Sequence, residues 1–295
     1  MTSSSFSSSS VTASGPVLGP RATGRWSRRA ATLVAVVGAV VVLVPLAWMV
    51  STSLKPEAEV FRTPIEWLPS SPRPQNYSEA VTQIPFWRYF LNSTLVAVPV
   101  VAGTVLSSVA VAYAFARMRA PGLRWLFLLV LAGVMLPAEV TLVPSFLLFN
   151  TLGWVGTYLP LIVPAWLGGG AFNIFLLRQY FLTIPREQEE AARVDGHGFL
   201  SILLRVVVPQ SWPAISVVAA FQFVGVWNDF VGPLLYLTDQ DSYTLPLGLA
   251  FYRDIYSTQW AHLMAASTLA LLPCVLVFFL AQRAFTEGVV VTGKR

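Results

Sequence analysis

The sequence predicts an all-α membrane protein with six transmembrane helices and both termini on the cytoplasmic side. Three observations predict it. Of 295 residues, 55% are hydrophobic and only 11% are charged, whereas a soluble domain carries about 25% charged residues. The deficit is concentrated in four stretches, Ala30 to Val50, Tyr89 to Ala116, Val140 to Leu177 and Ile255 to Gln282, which contain no Asp, Glu, Lys or Arg. About 20 apolar residues in helical form cross a bilayer core. With the N-terminus inside, only Lys55, Arg62, Arg73, Arg88 and Arg253 of the 19 basic residues fall outside, which is the asymmetry that orients membrane proteins. The net charge of +5 is therefore assigned to orientation, and nucleic acid is not expected as a partner.

The elements follow in order. Residues 1–29, rich in Ser, Thr, Gly and Pro at their start, are expected to form a disordered cytoplasmic tail. Residues 30–50 form the first span. Its apolar part is too long for a cleaved signal, and no small-residue cleavage site closes it. Residues 51–88 are a Pro-rich extracytoplasmic segment whose Trp67, Tyr77 and Trp87 suit a membrane interface. The core, 89–283, holds spans at about 90–116, 125–149, 157–177, 213–237 and 261–283. Asn150, Gly153 and Gly156 mark the turn that divides an apolar run too long for one span. Residues 284–295 are a cytoplasmic tail.

The inner loop 178–212 differs from the others in being long, charged and patterned. Pro185 precedes Arg186-Glu187-Gln188-Glu189-Glu190-Ala191-Ala192-Arg193-Val194-Asp195, a helix-forming run with proline at its start. Gly196-His197-Gly198 breaks it, Phe199 to Val208 reads as a second, more apolar helix, and Pro209 and Pro213 close the loop. Two helices and a glycine turn make a protruding hairpin. From the residues alone it is either a docking element or an ordinary surface hairpin.

Other constellations exclude function classes. Gly288 to Arg295 matches G-x-x-x-x-G-K, but Arg295 stands where Mg²⁺ needs Ser or Thr, and no helix follows to hold phosphate. Energy must come from elsewhere. Cys274 is the only cysteine, and two histidines, His197 and His262, make no metal site. No nucleophile and base share a compartment, so no enzyme activity, cofactor or metal is expected. Glu139 and Asp229 are the acidic residues within expected spans, where an ionisable group is costly. Glu139, just after Pro137, reaches headgroup water if the helix kinks there. Trp227, Asn228 and Asp229 are candidates for contact with a hydroxylated solute, the indole offering an aromatic face. They could equally pair with a neighbouring helix.

Glu190-Ala191-Ala192, Asp195-Gly196 and Pro209, thirteen residues beyond the glycine, resemble the EAA loop of bacterial ABC importer permeases. His197 stands where that family usually has Ala, and Leu203 where Phe is common. Ser53-Leu54-Lys55, Asn76-Tyr77, Phe90-Leu91-Asn92-Ser93 and Tyr113-Ala114-Phe115-Ala116-Arg117 extend the likeness. So do Pro121-Gly122, Thr157-Tyr158, Phe175-Leu176-Leu177-Arg178-Gln179, Trp227-Asn228 and the end from Gln282-Arg283 through Phe285 and Gly288 to Thr292-Gly293-Lys294. These resemble the carbohydrate branch, in particular the second permease of maltose-type importers, from residue 30 to residue 295. The resemblance implies a type I importer permease fold in the bacterial inner membrane. It implies a second permease subunit, two copies of a cytoplasmic ATPase, an extracytoplasmic solute-binding protein and a sugar as solute. In that family the loop docks into the ATPase, which gives Glu190, Ala191, Ala192, Asp195, Gly196 and Pro209 that role. A permease of the same architecture for polyamines or another small solute is the nearest alternative. An ion-coupled secondary transporter is more distant.

Overall fold

The computed structural model describes residues 25–253 and 258–290. Among them the chain forms helices and no strand. It divides into two units, Met1–Trp48 and Met49–Arg295. The first holds most of α1 (Arg25–Ser53), whose apolar side chains, Leu33, Val41 and Val42 among them, are exposed. Arg25 to Arg29, expected as tail, are already helical. The rest of the expected N-terminal tail, residues 1–24, lies outside the described residues.

The second unit is organised on α3 (Phe86–Arg117), a 32-residue helix about 48 Å long. Before it come the outer segment and α2 (Gln75–Gln83). The segment is ordered by polar groups that the sequence leaves unassigned. Lys55 is buried and donates to the Glu66 carbonyl at 2.6 Å. The Asn76 amide donates to the carbonyls of Ser53 and Lys55, both at 2.8 Å.

After α3 come α4 (Leu123–Val134) and α5 (Ala138–Thr151), expected as one span over 125–149 with Pro137 as the point of any kink. The two helices are bent by 103°. Pro137 is the cause: it lacks an N–H and disfavours helical geometry in the residue before it. Glu139 is consequently in the first turn of α5 and exposed. Next are α6 (Leu159–Trp166) and α7 (Ala171–Thr183), which together form one apolar stretch of 25 residues. They are separated by Gly168, Gly169 and Gly170, all at positive φ, so the fourth span reaches Thr183 rather than Leu177. At this break Ser107 donates to the Ala165 carbonyl at 3.0 Å and Asn173 to the Gly169 carbonyl at 2.7 Å. Such partners are what non-helical backbone at membrane depth requires.

The chain continues through α8 (Arg186–Val194), α9 (Phe199–Ile202), a π-turn over Leu203–Val207 and α10 (Val208–Gln210). The π-turn precedes Pro209, whose ring would clash with the carbonyl four residues back in a regular helix. An 81° bend leads into α11 (Trp212–Trp227). The expected fifth span, 213–237, therefore ends early. Asn228–Phe230 are not helical, and α12 (Val231–Tyr236) is a separate short helix. Last come α13 (Leu245–Leu249) and α14 (Trp260–Val290). The helix continues through residues expected to be tail, and 291–295, including Lys294 of the near-match to a phosphate loop, lie outside the described residues. Among the described residues four stretches are long and apolar enough to cross a membrane, and six if each of the two bent pairs is counted as one span.

Two clusters bury the core at opposite ends of α3. One joins Ala112, Tyr113 and Ala116 to Leu177 and Phe181 of α7, Ile202 and Val207 of the hairpin, and Val218 of α11. The other joins Phe86, Tyr89 and Ala97 to Ala80, Trp227, Leu245, Tyr252 and Ala265. Small residues let the backbones approach. A Cβ on Gly103 would lie 2.5 Å from the Trp166 indole, and one on Gly169 would lie 2.5 Å from the Thr104 carbonyl oxygen.

Candidate functional site

The hairpin between α7 and α11 is built from short-range chemistry. Pro185 precedes α8, Glu187 and Glu189 lie in its first turn and Arg193 in its last, each placed favourably toward the helix dipole. At the far end the His197 N–H bonds the Ala192 carbonyl at 2.9 Å and the Gly196 N–H bonds the Arg193 carbonyl at 3.0 Å. This is a Schellman closure, and it requires left-handed backbone at the intervening residue. Gly196 supplies it with φ +83°. His197 Nδ1 then lies 3.0 Å from the Ser201 hydroxyl, so the side chain that departs from the family pattern ties the turn to α9.

A buried ion pair fixes the hairpin to the membrane helices. Arg117, the last residue of α3, donates from Nε to Glu189 Oε1 at 2.5 Å, and both side chains are 4% exposed. The same guanidinium donates to the carbonyls of Phe181 and Ile184, both at 2.8 Å. The Tyr113 hydroxyl donates to Glu189 Oε2 at 3.3 Å. Both Glu189 oxygens and two of the three Arg117 guanidinium nitrogens thus have partners, and such added hydrogen bonds lower the cost of burying a charged pair.

The residues expected to dock divide by exposure. Glu190, Ala191, Asp195, Gly196 and Pro209 are exposed, whereas Ala192 is buried in the core. Val194, Leu200 and Leu204 are exposed at 88%, 64% and 56%. The hairpin therefore offers an apolar surface edged by charge, the composition of a partner site. Sequence reasoning missed Glu189 and Arg117 as a pair. The available signal was two consecutive glutamates on one helix, of which only one can face outward.

The three solute candidates are each engaged within the protein. Trp227 is buried between Phe90 and Phe223, and its Nε1 donates to the Ala270 carbonyl at 2.9 Å. Its aromatic face is covered rather than presented. Asn228 is exposed and donates to the Val224 carbonyl at 2.8 Å, with Cys274 Sγ at 3.7 Å. Asp229 accepts from the Gly232 N–H at 3.1 Å. Both polar residues lie beyond the end of α11, not within a helical span as expected.

The opposite end of the unit carries a second polar cluster. Glu57 accepts from the first N–H groups of α14, Trp260 at 2.8 Å and Ala261 at 2.9 Å, a carboxylate placed at a positive helix end. His262 Nε2 lies 2.9 Å from Glu79 Oε2. That hydrogen bond, with Arg73 adding to it, holds the Glu79 carboxyl below the usual value near 4.5.

The comparisons with known proteins agree with this architecture. Residues 103–291 match the family described as the binding-protein-dependent transport system inner membrane component. The diacetylchitobiose uptake system permease NgcG of Streptomyces coelicolor is 33% identical over 85% of this chain and 83% of its own. The arabinooligosaccharides transport system permease AraQ of Halalkalibacterium halodurans is 33% identical over 87% of this chain and 92% of its own. The sn-glycerol-3-phosphate transport system permease UgpE of Brucella abortus is 32% identical over 89% and 95%. A crystal structure of a bacterial ABC transporter for alginate import superimposes with TM-score 0.76 at 23% identity, over 88% of this chain and 98% of that one. The chain belongs to the binding-protein-dependent transport family. It is an inner-membrane permease subunit of an ABC importer and not an enzyme, which implies a partner permease, an ATPase and a solute-binding protein.

Proposed function

We propose that this permease carries a carbohydrate and that the hairpin from Arg186 to Pro209 is where the cytoplasmic ATPase docks, with both chain termini on that side. The observation that carries the docking assignment is the Arg117–Glu189 pair. It makes the exposed hairpin and the end of α3 one mechanical piece, so that displacement of the hairpin moves a helix running the length of the unit. Glu190 offers a carboxylate to a basic partner, and a charged hydrogen bond at such an interface contributes about 1.5–3 kcal/mol. Val194, Leu200 and Leu204 supply the apolar contact, and Gly196 keeps the tip low. The carbohydrate assignment is supported by two relatives whose substrates are oligosaccharides. Solute contact falls to Asn228 and Asp229, with Trp227 as wall behind them.

Docking is tested with Glu190→Ala and Gly196→Leu in the assembled importer. Both variants should insert at normal abundance while ATPase co-purification or solute-stimulated hydrolysis falls. Normal coupling at normal abundance in both would remove the docking assignment. The solute is tested by screening the cognate binding protein against oligosaccharides, monosaccharides and sn-glycerol 3-phosphate. Tight binding of the last with none of the sugars would replace the carbohydrate by a polyol phosphate.

A further inference from the structure

The cleft between the end of α3, the start of α4 and α7 has a volume of about 590 Å³ and is lined by no hairpin residue, although Arg119 also borders the adjoining pocket of Arg186, Glu189 and Glu190. Its lining is divided in kind. Arg119, Arg124 and Arg178 form one part, while Phe115, Leu123 and Phe127 are among the apolar side chains forming the other. No Asp or Glu lines it among the described residues. Arg178 is held in place: its Nε donates to the Phe115 carbonyl at 3.2 Å and its guanidinium carbon lies 4.2 Å from the centre of the Phe127 ring. Its terminal nitrogens remain for a ligand. Arg119 and Arg124 are exposed and form no salt bridge among the described residues. Three guanidiniums on one cleft repel each other unless an anion joins them, and planar guanidinium groups match phosphate oxygens.

The position of the cleft decides which phosphate. Arg124 lies in the first turn of α4, and the side chains that follow it, Trp125, Leu126 and Leu129, are 75%, 56% and 71% exposed. An exposed apolar helix face in a membrane protein meets acyl chains, and Trp and Arg at its end mark the headgroup level. A soluble anion has no use for the apolar half of the lining, and a protein carboxylate does not account for its continuity with the exposed apolar side of α4. From this juxtaposition we propose that the cleft is a specific site for an anionic phospholipid, its headgroup phosphate held by Arg119, Arg124 and Arg178 and its acyl chain lying along α4. The site lies at the end of α3 that carries Arg117. The bound lipid therefore braces the same junction that receives the hairpin.

The test uses the full-length chain in detergent, measured by native mass spectrometry with phosphatidylglycerol, phosphatidylcholine or inorganic phosphate added. Wild-type protein should retain phosphatidylglycerol in preference to phosphatidylcholine. The double variant Arg119→Gln/Arg124→Gln should lose that retention by about tenfold, since each surface arginine contributes strongly to anionic-lipid binding. Arg119→Lys/Arg124→Lys, which keeps the charge but not the planar fork, should retain phosphatidylglycerol better than the Gln variant and less well than wild type, and a melting temperature near wild type in both variants shows that the fold tolerates change at both positions. Millimolar inorganic phosphate should not displace the lipid. Unchanged phosphatidylglycerol retention in the Gln variant overturns the proposal. So does displacement by inorganic phosphate, which assigns the cleft to a soluble anion. Loss of a protein subunit from the assembled importer with lipid retention unchanged overturns it too, in favour of a protein interface.

Discussion

Two adjacent glutamates in α8 have different work. Glu189 neutralises a guanidinium that has left water, while Glu190 faces outward. Removing one member of a buried pair strands the other, at a cost of about 3–5 kcal/mol. Changing an exposed carboxylate costs within about 0.5 kcal/mol. Glu189→Ala is therefore expected to lower the melting temperature of the purified protein and its abundance in the membrane, and Glu190→Ala to leave both near wild type. Equal destabilisation by the two would refute the division. At the other end, Glu79 titrates below its usual value because His262 and Arg73 stabilise its charged form. A carboxyl depressed in the folded state contributes stability above the unfolded value near 4.5 and loses that contribution as pH falls through the folded value. The melting difference between wild type and Glu79→Gln should be present at pH 7 and shrink below about pH 4.5. A difference that grows on acidification contradicts the sign.

At the scale of elements, the spans are broken where the sequence supplies a breaker. The reason differs each time. Pro137 ends α4 by removing a donor. Pro209 is accommodated by a π-turn within a continuing helix. The three glycines between α6 and α7 adopt backbone that side chains disfavour. Among them Gly169 also lies against α3, where an added Cβ would meet the Thr104 carbonyl oxygen at 2.5 Å. A Cβ on Gly170, at a comparable φ of +86°, would meet only the Asn173 amide nitrogen at 3.5 Å. Both substitutions to Ala carry backbone strain of about 1 kcal/mol. Only Gly169→Ala adds overpacking against a rigid backbone, about 1–3 kcal/mol more. Thermal melts of Gly169→Ala and Gly170→Ala should separate in that order, and a more damaging Gly170→Ala would show that close approach of α3 and the break is not what Gly169 serves.

At the scale of the whole molecule, function depends on which end of α3 faces the cell interior. The hairpin must be cytoplasmic to meet an ATPase, and Arg119 of the α3–α4 connection lies at the same end, bordering Arg186 of α8. A cysteine at Ser201 or Arg119 should resist a membrane-impermeant reagent in intact cells, and one at Ser71 should react. Labelling of Ser201 from outside would invert the molecule and end the docking assignment. The Glu189–Arg117 pair and the packing of Ile202 and Val207 both join the hairpin to the helices that lead away from it. The long helix joins the hairpin-side core to the core containing Trp227 and the start of α14.

Composition and local pattern establish the membrane class, the apolar stretches and the helix–glycine–helix hairpin. Each of these follows from composition or from residues within a few positions of one another, because bilayer burial and helix caps are local demands. The sequence by itself also carried the family likeness, which is a property of motifs in order. Only the tertiary structure decided that Glu189 rather than Glu190 is buried, since that depends on Arg117, 72 residues away. It alone moved Asn228 and Asp229 out of a span, covered the Trp227 ring with Phe90 and Phe223, and buried Lys55 on the Glu66 carbonyl. The physical reason is the same throughout: where a polar or aromatic side chain finds its partner is set by which helices pack together, and pairing across such distances leaves no period or spacing in the sequence.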